Sequence, residues 1–203
     1  MTKTRLAFLV SHRGTNMQAI IDACNTGRLD AVPAVLITNN ALSHAIQRAR
    51  KESIPYYIAN SKTCAEYSPD EYILRCLLEH RVDLVILAGY MKKIGSVILN
   101  RFAGRIINIH PSLLPKYGGK GMYGLHVHES VLADGESETG VTVHLVDEEY
   151  DRGPILAQEK IQVKPNDTAR ILAARVLEIE HKILVETLSG IIRGEIATHR
   201  MEN

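Results

Sequence analysis

Short apolar runs alternate with segments of helical periodicity through the first half of the chain, and this alternation limits the fold more than any other feature. The apolar runs cover residues 6–10, 34–37, 56–59 and 82–88; helical patterns cover 16–24, 43–51 and 70–79. Strand, helix and strand at this spacing predict an α/β fold, a doubly wound and mostly parallel sheet with helices on both faces. Such sheets bind ligands beyond the carboxyl ends of their strands.

The second half reads differently. A short strand at 105–108 enters the proline-punctuated segment 110–115, and a glycine-rich stretch at 118–124 predicts a mobile surface loop suited to a lid. Residues 140–146 alternate, with Val141, Val143 and Leu145 inward against Thr142 and His144 on the polar side, and 155–163 is a second β run. Together they predict an antiparallel edge in the C-terminal half. A long helix closes the chain, with Asp167 or Thr168 as N-cap and an end near residue 189, before Gly190. At 203 residues, one domain spanning 1–203 is expected.

Charge narrows the partners. Lys plus Arg number 24 against 23 Asp plus Glu, a net charge of +1, without the basic excess of a nucleic-acid binder. A small molecule is the expected partner, with no nucleic acid. The run at 82–88 is far too short for a membrane span, and the first residues lack signal-peptide shape, so a cytoplasmic protein without membrane association is expected. Cys24, Cys64 and Cys76 form no CxxC pair, which predicts reduced, buried thiols and no zinc site.

Several residues carry chemical possibilities. The loop 11–16 follows the first strand and opens the first helix, where amide N–H groups and the helix dipole favour an anion. It is either a phosphate pocket with Arg13 as its charge or a plain turn capped by Thr15 or Asn16. Asn108 and His110 alternate on a strand, so both side chains share one side, the amide suited to an oxyanion and the imidazole to proton transfer. An acidic turn supplies Asp147, Glu148, Glu149 and Asp151 as candidate partners of His110, and chemistry alone does not separate Asp147 from Asp151. Glu180 shares a helical face with Ala173, Leu177 and Leu184, and binds either a polar substrate group or a buried Arg or Lys. His144 and Thr142 share a face that can line the same cleft. His126 and His128 have metal-pair spacing but lack further ligands, so no metal is expected.

The segments Asn108-Ile-His-Pro-Ser-Leu-Leu-Pro115, Leu87-Ala-Gly-Tyr-Met91 and Asp151-Arg-Gly-Pro154 together resemble the signature of the 10-formyltetrahydrofolate-dependent formyltransferase family. That resemblance covers almost the whole chain. It implies a formyltransferase fold, with residues 1–104 as a phosphate-binding half and 105–203 as a catalytic and folate-binding half. It implies formyl transfer from 10-formyltetrahydrofolate, a co-substrate, with Asn108, His110 and Asp151 catalytic, and it singles out Asp151 over Asp147. Arg13, Gly14, Thr15 and Asn16 would receive a ribose-bound phosphate, and Glu180 the ribose hydroxyls. Tyr90, Met91, Lys92, Lys93 and Ile94, with Val146 and Asp147, would hold the pterin, while Thr142 and His144 would support a water and proton relay.

Among family members, deformylases add an N-terminal domain and transfer-RNA enzymes a C-terminal one. The length here therefore implies glycinamide ribonucleotide as acceptor, in a monomer or homodimer, within purine biosynthesis. A nucleotide-linked amino sugar as acceptor, or deformylase-like hydrolysis, is the alternative. Three positions depart from the family pattern: His12 replaces a glycine that a positive φ would require, Lys93 replaces an apolar residue, and the loop 119–124 is longer.

Overall fold

Residues 2–64 and 68–198 are described by a computed structural model of the protein. In chain order they form β1 (Thr4–Leu9), α1 (Thr15–Asn25), β2 (Ala31–Thr38), α2 (His44–Lys51), β3 (Tyr56–Ile58), α3 (Pro69–Glu79) and β4 (Leu84–Leu87). Then follow α4 (Ser96–Arg101), β5 (Ile106–His110), α5 (Leu125–Ala133), β6 (Glu138–Leu145), β7 (Ile155–Gln162) and α6 (Ala169–Ile192).

The strands build a 7-stranded sheet in the order β3-β2-β1-β4-β5-β6-β7. Pairing is parallel from β3 through β5, and antiparallel for β5 with β6 and for β6 with β7. The expected mostly parallel sheet with an antiparallel C-terminal edge is what forms. Strand order reverses between β1 and β4, and a crevice opens there beyond the carboxyl ends.

Helices cover both faces because the central strands are apolar throughout; Leu84–Leu87 is buried at every position. Alternation in β1 sends Leu6 and Phe8 to a core shared with α1, α2, α5 and α6, through Met17, Ala45, Val131 and Leu184. Ala7 and Leu9 point to a second core with α3 and α4, through Leu77 and Ile98. Each fully buried large side chain contributes roughly 1.5–3 kcal/mol relative to exposure. By contrast β7 alternates between exposed and half-buried residues, as an edge strand should.

Helix starts follow local chemistry. Ser43 caps α2, Thr168 caps α6, and Ser68 forms a reciprocal capping box with Glu71 ahead of Pro69. Two departures from the sequence reading stand out. The closing helix does not stop before Gly190 but runs through it to Ile192; Gly190 is buried where a side chain would strike Ile196, so this glycine answers to packing and not to a helix end. In addition, α4 and α5 occupy stretches where periodicity predicts no helix, and α5 takes His126 and His128 out of any loop. Among the described residues the cysteines are free thiols, Cys64 and Cys76 buried and Cys24 half-buried.

Candidate active site

Pairing of β5 with β6 sets Asn108 opposite His144 and His110 opposite Thr142. The inward neighbours Ile107, Ile109, Val143 and Leu145 fill the core with α5 and α6, so the polar set faces the other way. His144 is locked by its own backbone: Nδ1 lies 2.8 Å from the Leu145 carbonyl, which can only accept, so Nδ1 carries the proton. Its Nε2 then accepts from Asn108 Nδ2 at 3.0 Å, and the same amide nitrogen donates to Asp151 Oδ1 at 3.3 Å.

Asp151 reaches the centre from the turn after β6, with its backbone in the left-handed region at φ 56°. Gly153 makes this turn possible, since any side chain there would drive into the Leu145 carbonyl. Asp151 Oδ2 accepts from the Gly119 amide at 2.8 Å and stands 3.6 Å from His110 Nδ1, while Oδ1 stands 3.6 Å from His144 Nε2. Burial alone would raise the carboxyl's pKa, but His144, His110 and the Gly119 N–H together hold it below the ordinary Asp value. It is therefore an anion at neutral pH.

His110 is 4% exposed, and its Nε2 is 2.7 Å from the Tyr117 carbonyl oxygen. Desolvation pulls its pKa below 6.5 despite the opposing pull of Asp151, so the ring is neutral at pH 7 with its proton on Nε2. Nδ1 is then a bare lone pair turned towards a carboxylate. A proton arriving there gains Asp151 as its partner, while the N–H at Nε2 keeps the Tyr117 carbonyl.

These groups line one cleft of about 760 Å³, together with residues 12–16, 90–94, 119–125 and 146–150 and with Glu180 of α6. Arg13, Gly14, Thr15 and Asn16 thus meet Asn108, His110, Asp151 and His144 in one space, as do Tyr90, Met91, Lys92, Lys93, Ile94, Val146 and Asp147. Thr142 is not brought there. Fully buried, its hydroxyl donates to the Ser112 carbonyl at 2.7 Å and accepts from the Leu114 amide and Gln158 Nε2. It braces the segment after β5 rather than facing the cleft.

At the other end, α1 opens with Gly14 in the left-handed region, φ 67°, packed so closely on α2 that a Cβ would lie 2.8 Å from that of Ala45. His12 does not adopt a positive φ; the left-handed position of the loop is Gly14, where a glycine takes it without strain. The carbonyl of His12 accepts from Ser43 Oγ and the Ala45 amide, which ties the loop to α2. No acidic residue occupies the first turn of α1, leaving its amides and dipole open to an anion.

Glu180 is 9% exposed, and the partner it finds is Asn16, whose Nδ2 donates to Oε2 at 2.6 Å, not an Arg or Lys. Burial lifts its carboxyl to about 7. Asn16 Oδ1 is buried without a partner. At the opposite wall Ser11 Oγ accepts from the Met91 amide at 2.8 Å and donates to Asn39, and Lys93 Nζ lies 6.0 Å from the ring centre of Tyr150. The Tyr117 carbonyl against His110 left no trace in the sequence, and His128, weighed there only for its spacing from His126, is buried at the cleft with Nδ1 unpartnered and its pKa lowered by burial to about 4. Val127, His128 and Val131 share the buried face of α5.

Among the described residues no group of His, Cys, Asp and Glu is placed to hold a metal, and no helix is long and apolar enough to cross a membrane.

Comparison with known proteins agrees with this geometry. Residues 4–188 match the family described as formyl transferase. A chloroplastic phosphoribosylglycinamide formyltransferase of Vigna unguiculata is 43% identical over 197 residues, 96% of this chain and 62% of the plant protein, so the chain spans less than two-thirds of that relative. Phosphoribosylglycinamide formyltransferase of Haemophilus influenzae is 38% identical over 95% of this chain and 89% of its own. The crystal structure of glycinamide ribonucleotide transformylase 1 from Symbiobacterium toebii superposes with a TM-score of 0.88 at 35% identity, covering 95% of this chain and 89% of that one. With its sheet, its cleft and nearly its whole length accounted for in this way, the chain belongs to the formyltransferase family.

Proposed function

We propose that the protein transfers the formyl group of 10-formyltetrahydrofolate to the primary amine of glycinamide ribonucleotide, yielding formylglycinamide ribonucleotide and tetrahydrofolate in the cytoplasm. One observation carries this reading: a single cleft joins an anion-receiving helix start at 13–16 to a neutral imidazole, an anionic Asp and a carboxamide near its centre. A phosphorylated acceptor and a folate can enter from opposite ends and meet at Asn108 and His110.

The folate supplies an electrophilic formyl carbon. Everything else falls to positioning and proton movement. Tyr90, Met91, Lys92, Lys93 and Ile94, with Val146 and Asp147, form the wall for the pterin, and Glu180 with the free Oδ1 of Asn16 offers acceptors to ribose hydroxyls. The amine nitrogen bonds to the formyl carbon as the carbonyl π pair moves onto oxygen, where Asn108 Nδ2 donates to the developing oxyanion. Its excess proton passes to the bare Nδ1 of His110, whose cationic form Asp151 and the Tyr117 carbonyl stabilise. Return of that proton to the folate nitrogen, as its bond to the formyl carbon breaks, releases tetrahydrofolate and leaves the enzyme unchanged.

An acceptor panel tests the reading. Turnover of 10-formyltetrahydrofolate should require glycinamide ribonucleotide and vanish in His110→Ala. Turnover only with a nucleotide-linked amino sugar, or equal turnover without acceptor, would replace it by the other transferase or by deformylation.

A further inference from the structure

The glycine-rich loop 118–124 is the part of the cleft for which the proposed chemistry gives no role, and its position is informative. It leaves the catalytic centre at Gly119, whose amide is bonded to Asp151, and ends at Leu125, the first residue of α5. That helix packs on α6, which turns Ala173, Leu177 and Glu180 towards the cleft, and Glu180 is bonded in turn to Asn16 at the start of α1. The loop therefore runs from the turn that carries Asp151 to the α5 and α6 side of the cleft, the acceptor end.

Charge at that end is incomplete. The Lys and Arg residues lining the cleft are Arg13, Lys92, Lys93 and Lys120. Lys92 and Lys93 belong to the pterin wall, and Lys93 faces Tyr150. From α6 come only two apolar residues and an acid. A phosphate carries close to two negative charges at neutral pH, against which the acceptor end sets Arg13 and the dipole of α1. Lys120 is the remaining cation. It is exposed and, among the described residues, forms no hydrogen bond or ion pair, so nothing holds its ammonium away from an incoming anion.

We infer that Lys120 is a specificity-determining residue, the second cation on the acceptor's phosphate, delivered by the glycine-rich loop. The inference rests on the acceptor assignment proposed above. Because the loop starts on Asp151, its engagement with the phosphate also fixes the Gly119 N–H against the catalytic carboxylate.

Steady-state kinetics of the full chain test this with Lys120→Ala and Lys120→Arg, using glycinamide ribonucleotide and its dephosphorylated analogue at low salt. In Lys120→Ala the KM for the phosphorylated acceptor should rise roughly tenfold, as expected for one charge-assisted contact. The KM for the folate should stay unchanged, the dephosphorylated analogue should not distinguish the variant from wild type, and added salt should shrink the effect. Lys120→Arg should recover most of the loss. An unchanged acceptor KM overturns the inference while the acceptor assignment stands, and a rise in the folate KM instead assigns Lys120 to the folate's carboxylates. Wild-type protein that formylates neither acceptor overturns the assignment and the inference together.

Discussion

His110 Nδ1 and Asp151 Oδ2 stand 3.6 Å apart, beyond a hydrogen bond, while the opposite nitrogen of the same ring is fixed at 2.7 Å to the Tyr117 carbonyl. The carboxylate therefore does not orient the imidazole in the resting protein; the backbone does. Asp151 instead waits for the proton that His110 takes up, and it contributes once the ring is charged. Asp151→Asn should lower kcat more than tenfold with little change in either KM. Desolvation already holds His110 below 6.5, and loss of Asp151 removes the group that opposes it, so the acid limb of the rate profile should move to lower pH. A pH–rate series on both proteins checks the sign, and an unmoved limb would detach Asp151 from His110.

Asn108 is poised differently. Both Nδ2 hydrogens are engaged, by His144 Nε2 and Asp151 Oδ1, so the amide is held in place and the longer 3.3 Å bond to Asp151 is the one an oxyanion would replace. Replacement by Ala should cost on the order of 10²–10³ in kcat with KM values nearly constant, the pattern of a contact made in the transition state. Single-turnover measurements would separate this from slowed product release.

Glu180 links the site to pH through stability. Its carboxyl titrates near 7 when folded, above the ordinary 4.5, because burial disfavours the anion. Between those values the folded protein binds more protons than the unfolded chain, so this group's contribution is fully present below about 4.5 and is lost as pH rises through about 7. The gap corresponds to at most roughly 3 kcal/mol. Glu180→Gln should therefore melt above wild type at pH 8 and alongside it near pH 5, while its acceptor KM rises. Equal pH dependence of Tm in the two proteins would contradict a buried, high-pKa carboxyl.

Gly14 carries the geometry of the anion end. With φ 67° and a virtual Cβ 2.8 Å from that of Ala45, Gly14→Ala should destabilise by about 1–3 kcal/mol and weaken the acceptor in preference to the folate. Urea unfolding with parallel KM measurements reads both effects.

The parallel half was legible because buried central strands such as Leu84–Leu87 are continuous apolar runs, and the antiparallel edge because β6 and β7 alternate. Less legible were α4, a helix of 6 residues, and α5, which follows a glycine-rich loop and carries two histidines. At the site, Asn108 and His110 were readable from strand alternation, whereas choosing Asp151 over Asp147 required resemblance. Physically the choice lies in a left-handed backbone and a close approach at Gly153, neither of which alternation encodes. Thr142 shares a face with His144 but sits beneath the Ser112–Leu114 segment, because a strand side facing a loop is buried as thoroughly as one facing a helix. The Tyr117 contact is made by a main-chain carbonyl, which has no residue signature at all. Glu180 and Asn16, 164 positions apart, meet only through the packing of α1 on α6.

The fate of the formyl carbon distinguishes transfer from hydrolysis in one measurement. With isotopically labelled 10-formyltetrahydrofolate and glycinamide ribonucleotide, a single turnover by the wild-type protein should place the label on the acceptor's amine, and His110→Ala should leave it on the folate. Label recovered as free formate, or an acceptor that stays unlabelled while tetrahydrofolate accumulates, would contradict transfer at the Asn108, His110 and Asp151 centre.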